Sequence, residues 1–488
     1  MSSSFNLRSS FINPRLIRGV KMAQSEHNEP LEHEPDDLYG LHPDAIQEPP
    51  TDLKGRLKFL GPGLVLVGSV VGSGEIILTT TLGSIVGFSM LWFVLVSCWS
   101  KNIVQAELGR YTVSSGEPFL HAFNRLPGKV PAFRGKKVSW YIYFWLLWII
   151  PDLLVNGGIY GGAGQAIQAA FPSLGSEWWT VGIAIVAVII ILSGTYRFLE
   201  KFLTIMVVTF TFITVTCAIL LQMTEYAITW DEMMNGLTFG FPAMAIVAAL
   251  AMYGGTGVGT GEQTAYTYWC VEKGYARFAG AADDSDDWVR RAKGWIAVMQ
   301  TDVKLTLLLL TCATIPFYML GAGVLYRLGQ EPNGLETIGI LSGMYTTTLG
   351  EWAFWLFIIG AFFVLFSTAV SGLGANVRVF ADGMAVLGLI ERNDYQTRMK
   401  ILRFWAVFAP IITATAYFYF QNPVWMLTVG QLFKAIKFPL IAGGVIYLRY
   451  KHLDPRVAPS WKADAILWLC FAIMISLATY IIWVKFIA

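Results

Sequence analysis

Two stretches decide the fold: Gly72-Ser73-Gly74-Glu75 and Gly254-Gly255-Thr256-Gly257-Val258-Gly259-Thr260-Gly261-Glu262. Each interrupts a long apolar run, and each ends on a carboxylate. Glycine weakens helix continuity, and closely spaced glycines let a chain unwind inside a membrane where protein or a water cavity satisfies the freed backbone groups. Small residues also serve close helix packing, so either stretch alone is ambiguous. Their shared Gly-Ser/Thr-Gly-Glu pattern gives them weight. A carboxylate at mid-membrane costs about 2.5 to 3.5 kcal/mol on insertion scales, which makes Glu75 and Glu262 functional candidates.

Around these stretches the composition is that of a membrane protein. Apolar residues make up 55% of the chain and charged ones 14%, whereas a soluble chain is roughly a quarter charged. A membrane-spanning helix needs about 20 mostly apolar residues. About eleven such runs follow one another, at 59–85, 88–108, 141–168, 178–193, 198–223, 239–271, 295–326, 352–381, 404–420, 424–450 and 465–486. They are too long for outer-membrane barrel strands of roughly ten alternating residues, so the expected fold is an all-α integral membrane protein.

Basic residues crowd the loops after the second, fourth, sixth, eighth and tenth runs, with Arg134, Lys201, Arg290, Arg398 and Lys451 among them, while the opposite set holds essentially Arg327. The positive-inside rule then sets a cytoplasmic N-terminus and an external C-terminus. Residues 1–52 are polar without hydrophobic period and read as a disordered cytoplasmic tail. No apolar segment follows the basic stretch at 15–21, so a signal peptide is not expected, and Met22 is a second candidate start. Residues 53–488 form the membrane domain. The five cysteines sit in or beside apolar runs without metal-binding or redox spacing. The acidic group Asp283, Asp284, Asp286 and Asp287 reads as a solvated loop lacking a calcium-loop pattern.

The two interrupted runs lie five helices apart. Discontinuous helices in corresponding positions of two halves mark a transporter binding site at the bilayer midplane. Helices one to five, over about 59–223, and six to ten, over about 239–450, would be related by inverted pseudo-twofold symmetry, with an extra helix at about 465–486.

The residues here resemble the Nramp family of proton-coupled divalent metal transporters, which has the leucine-transporter-type 5+5 inverted repeat with broken helices one and six. Gly61-Pro62-Gly63, the first break, Gly83, Gly87-Phe88 and Leu91-Trp92 keep the family's spacing, and Gln105 and Ser115-Gly116 continue it. Ser367-Thr368, Ser371-Gly372, Gln431 and Pro439 resemble its patterns in helices eight and ten. The departures fall on the metal site. The family's metal-binding Asp and Asn correspond to Gly72 and Glu75, and its backbone carbonyl, Met sulfur and nearby His to Gly255, Val258 and Thr260. All five histidines lie outside the apolar runs.

A site without thioether that offers carboxylate, hydroxyl and carbonyl oxygens favours hard cations such as Mg²⁺, Ca²⁺ or Mn²⁺. Glu75 and Glu262 are the candidate metal ligands, completed or lined by Ser73, Thr260, the Gly72 and Gly255 carbonyls and the Gln431 amide. Close carboxylates repel, so one would tend to hold a proton and couple metal to proton occupancy.

In helix ten, Lys434 and Lys437 oppose this signal, because Lys437 paired with Glu75 or Glu262 would stand in for a cation and favour a small organic solute such as an amino acid. Asp152, Asp302 and Lys304 are further intramembrane charges for a proton path or gating, with plain interhelical pairing as the alternative. A non-transporting receptor or sensor is the reading outside transport. No nucleophile-base or metal-ligand spacing marks an enzyme. The expected partners are a small ion or solute and the lipid bilayer, with no nucleic acid and no cofactor beyond a transported metal.

Overall fold

The computed structural model describes residues 41, 43–60, 72–193, 196–391 and 394–483. Gly61-Pro62-Gly63, most of the expected tail and the last residues of the chain lie outside them. Among the described residues nine helices are long and apolar enough to cross a membrane, and the shorter apolar Gly74–Val86 and the more polar Leu91–Ser115 bring the set to eleven.

In chain order span 1 is Gly74–Val86, span 2 Leu91–Ser115, span 3 Trp140–Ala170, span 4 Ser176–Ser193 and span 5 Tyr196–Leu220. Span 6 comes in two pieces, Ile246–Gly255 and Thr260–Lys273, with the glycine stretch unwound between them. Span 7 is Asp286–Leu328, span 8 Ala353–Val386, span 9 Tyr395–Phe420, span 10 Pro423–Lys451 and span 11 Trp461–Ile482.

Several boundaries move from their expected places for local reasons. Span 2 runs seven residues past 108, to Ser115, because its charges are satisfied inside the protein: Arg110 pairs with Glu107 at 3.0 Å and donates to the Val457 carbonyl at 3.2 Å. Span 7 begins within the acidic group. The Ser285 hydroxyl accepts from the Trp288 amide at 3.1 Å as an N-cap, and Asp286 and Asp287 occupy the first turn, where carboxylates favour the helix dipole.

The expected disordered tail ends earlier than residue 52. The Gln47 amide donates to the Phe278 carbonyl at 3.0 Å, the Trp295 indole donates to the Gln47 carbonyl at 2.9 Å, and Arg290 pairs with Glu48. Ile46 rests on Gly280 and Pro49 on Gly294. A 13-residue helix, Thr337–Leu349, fills the connection between spans 7 and 8, and a two-stranded hairpin pairs Lys129–Pro131 with Lys137–Ser139.

Two groups of spans pack side by side. Spans 1, 2, 6 and 7 contact one another, spans 3, 4, 8 and 9 do likewise, and span 10 touches spans 3, 6 and 11. Apolar side chains give no preference for protein over lipid, so tight association relies on small residues that bring backbones together. A Cβ on Gly321 of span 7 would lie 2.4 Å from the Thr80 carbonyl oxygen, and one on Gly83 of span 1 would lie 2.7 Å from that of Tyr318. Gly161 of span 3 is covered by the Tyr417 ring, 2.0 Å from such a Cβ. Gly182 of span 4 faces open space. Gly321→Ala is therefore expected to destabilise the protein by about 1 to 3 kcal/mol, read as a lower midpoint in thermal unfolding in detergent. Gly182→Ala should melt as the parent does, and equal melting of both variants would remove the close-contact account.

Candidate functional site

The site starts from a backbone problem. Unwinding Thr256–Gly259 strips carbonyls at the end of the first half of span 6 and amides at the start of the second of their helical partners, and at membrane depth each must be satisfied by protein. Two fully buried charges do this. The Lys101 ammonium of span 2 donates to the Tyr253 carbonyl at 2.7 Å and to that of Thr256. The Glu75 carboxylate of span 1 accepts from the Gly257 amide at 2.9 Å with one oxygen and from the Gly72 amide at 3.0 Å with the other. The cation thus meets the carbonyl end of one half-helix and the anion an amide ahead of the next, the arrangement that helix dipoles favour.

Glycine is required here for space. A Cβ on Gly74 would stand 2.2 Å from the Gly255 carbonyl oxygen, one on Gly254 2.1 Å from that of Gln431, and one on Gly72 2.2 Å from the Thr368 hydroxyl. Gly257 adopts φ +68°, which side-chain-bearing residues rarely take. Around the contact, hydroxyls join span 1 to the unwound segment of span 6: those of Thr79 and Thr256 lie 2.7 Å apart, one donating to the other, and the one that accepts can donate to the Gly74 carbonyl, which lies 3.0 Å from the Thr79 hydroxyl and 3.3 Å from that of Thr256.

Of the sequence-derived candidates, Gly72, Ser73, Glu75, Gly255 and Gln431 come together where spans 1, 6 and 10 meet. Gln431 is buried against Gly255 with its Oε1 unpartnered, and the fully buried Thr260 hydroxyl is unpartnered as well. Glu262 is half-buried in the first turn of the second half-helix, its carboxylate folded back over Gly259.

The lysines of span 10 lie beside a different acid. Lys434 pairs with Asp152 of span 3 at 3.5 Å, and buried Lys437 is within electrostatic reach of Asp152, Lys434 and Glu262. Asp302 is buried in span 7, where it accepts from the Tyr266 hydroxyl at 3.1 Å, whereas Lys304 is exposed on the outer surface of the same helix. Among the described residues no group of three or more His, Cys, Asp or Glu side chains is gathered to hold a metal. A cation at the break would therefore rely on hydroxyl, amide and main-chain oxygens beside its carboxylates.

Lys101 escaped the sequence reading, although an unexplained charge inside the 88–108 run was the signal that pointed to it. Thr79 and Thr256 gave no comparable signal, since hydroxyls are common in membrane helices. Lys101→Met leaves two buried carbonyls without their donor, and Glu75→Gln turns an amide donor toward a backbone N–H. Each is expected to cost about 1 to 3 kcal/mol per orphaned group and to lower the melting midpoint in detergent. Glu262→Gln should leave it in place. A Lys101→Met protein that melts with the parent would contradict the role given to this ion.

The comparisons agree with this architecture. The sequence profile of the natural resistance-associated macrophage protein-like (Nramp) family matches residues 63–484. An uncharacterized protein of Pasteurella multocida (strain Pm70) is 22% identical over 400 residues, 78% of this chain and 83% of that protein. Among solved structures, MhsT in complex with L-phenylalanine superposes with a TM-score of 0.55 at 15% identity, covering 88% of this chain and 100% of MhsT. The manganese transporter of Eremococcus coleocola, in complex with an aromatic bis-isothiourea substituted compound, gives a TM-score of 0.43 at 13% identity, covering 90% of this chain and 97% of its own. The fold is the leucine-transporter-type inverted repeat with a broken sixth helix, and, with the profile matching nearly the whole membrane region, the chain belongs to the Nramp family.

Proposed function

We propose that this protein is a secondary transporter that moves a hard divalent cation, Mg²⁺ or Mn²⁺ in the first place, through the break by alternating access, with protons as the coupling ion. The observation that carries this reading is the donor set. The family is one of metal transporters, and the unpartnered side-chain donors near the break are oxygens, those of the Thr260 hydroxyl and the Gln431 amide, with the Glu262 carboxylate in the first turn of the second half-helix and Glu75 on the Gly257 amide, while the Cys98 thiol lies against Gly257. Val258 stands where a soft sulfur donor would be expected. Oxygen ligands suit hard cations, whereas softer transition metals gain from sulfur and imidazole.

Charge supports the coupling. Glu75 and Glu262 bring two negative charges to the break and Lys101 one positive charge, and buried Lys437 lies within electrostatic reach of Glu262. A dication entering beside that ammonium raises the local positive charge and disfavours every bound proton nearby. Metal entry thereby favours proton release, and proton return favours metal release. Glu75 contributes charge while holding the backbone of the break, and Glu262 contributes the carboxylate free to turn toward a cation. The basic loops orient the protein with its N-terminus in the cytoplasm.

Uptake into proteoliposomes under an imposed pH gradient tests the reading. Mg²⁺ or Mn²⁺ should accumulate in preference to Cd²⁺, and Glu262→Gln should lower that uptake by about an order of magnitude, in line with the loss of roughly 1.4 kcal/mol or more of cation binding. Folded wild-type protein that moves none of these cations would overturn the proposal. Orientation is checked separately: a membrane-impermeant thiol reagent applied to sealed cells should spare a cysteine introduced at Ser285 and modify one introduced at Asn333.

A further inference from the structure

Spans 3, 8 and 9 leave a cleft between them with about 520 Å³ of free space, lined from Trp145 to Tyr160 of span 3, from Leu373 to Phe380 of span 8 and from Trp405 to Thr413 of span 9. None of the oxygen donors at the break belongs to this lining. Its walls are held in place by packing. The Trp405 and Phe380 rings stack with centroids 3.9 Å apart and planes 5° from parallel, and Trp145 is wedged against Gly383, where a Cβ would stand 2.4 Å from its ring. Such a space falls within the roughly 300 to 1,000 Å³ of small-molecule sites and is far larger than one water needs.

One acid meets this aromatic space. Asp152 lines the cleft, whereas Lys434, its ion-pair partner, is not among the lining residues, so the cleft sees the carboxylate side of the pair. The pair spans 3.5 Å, beyond the roughly 2.7 to 2.9 Å of a charge-assisted hydrogen bond, and Asp152 Oδ1 has no hydrogen-bond partner. Lys434 thus offsets the charge without completing the hydrogen bonding. Asn156 and Tyr160 follow Asp152 at i+4 and i+8, on the same stripe of span 3. The Asn156 Nδ2 donates to the Asp152 carbonyl at 2.7 Å, which fixes the amide, and Tyr160 is 2% exposed with its hydroxyl unpartnered.

We propose that this cleft is a binding site for a primary ammonium group carried on an apolar body, distinct from the cation site at the break. The ammonium supplies the N–H donors that the Asp152 carboxylate lacks, the aromatic rings favour a positive charge beside them, and the same rings cover the apolar body. Other occupants fit less well. An acyl chain alone would leave Asp152 and the Tyr160 hydroxyl without partners, and an anion would be repelled by Asp152. A metal ion would find a single carboxylate among aromatic walls. The ammonium group comes from a free amine or from an amino lipid, since both present the same N–H donors.

Calorimetric titration of the purified protein in detergent with phenethylamine, and with 2-phenylethanol as its neutral counterpart, tests the site. Phenethylamine is expected to bind saturably and about tenfold or more tighter than the alcohol, in line with a hydrogen bond to a charged group. Asp152→Asn should weaken phenethylamine by a similar factor, and Ala409→Phe, which fills the cleft from span 9, should abolish its binding. If Asp152→Asn does not fold, the wild-type comparison and Ala409→Phe decide. Equal binding of amine and alcohol, unchanged affinity in either folded variant, or no saturable binding to the wild type would overturn the proposal. Displacement of phenethylamine by phosphatidylethanolamine alone supports the site with a lipid as the source of the ammonium, and no displacement by lipid supports it with a free amine. Equal displacement by phosphatidylcholine, whose quaternary head group has no N–H to donate, would overturn recognition through Asp152.

Discussion

The structure depends on satisfying the backbone that the glycine stretch of span 6 exposes inside the membrane. In water those carbonyls and amides would cost little, but in a bilayer interior each unsatisfied group costs several kcal/mol. A lysine from span 2 and a glutamate from span 1 answer that demand with opposite charges placed at complementary helix ends. Because the charges are fully buried, each requires the other elements to stay in place: removing span 2 or span 1 from the break would expose an ion to lipid as well as a broken helix. The contact of spans 1, 2 and 6 is therefore specified by electrostatics where apolar packing alone would leave it indifferent.

Much of this was legible in the sequence. The helices and the break in span 6 follow from local signals, since apolar length, glycine spacing and a terminal carboxylate are all written within a few residues of one another. What the chain reveals poorly is which distant residue meets each signal. Lys101 and Tyr253 are far apart in sequence, and nothing near Lys101 announces that its ammonium caps span 6. The same holds for the end of span 2, where Arg110 and Glu107 look like a membrane boundary until their pairing inside the protein is seen. Residues 43–52 have the composition of a disordered tail, yet Gly280 and Gly294 provide flat surfaces on which Ile46 and Pro49 settle.

The site itself was only partly legible. Glycines and carboxylates marked where it would be, and resemblance to the Nramp family brought Gln431 to it. Whether a carboxylate is committed to the backbone, as Glu75 is, or stands half-exposed, as Glu262 does, depends on the neighbouring amides and cannot be read from residue type. That difference gives the two acids separate duties in the proposed cycle: one fixes the unwound segment and the other meets the cation.

The central claim is that the break holds a hard cation with oxygen donors, and pulsed electron paramagnetic resonance of Mn²⁺ bound to the purified protein tests it most directly. The account predicts a saturable site whose hyperfine spectrum shows oxygen ligation without a directly coordinated nitrogen, and which disappears in Glu262→Gln. Strong ¹⁴N coupling from a bound side-chain nitrogen, or the absence of any saturable Mn²⁺ signal in folded protein, would contradict it.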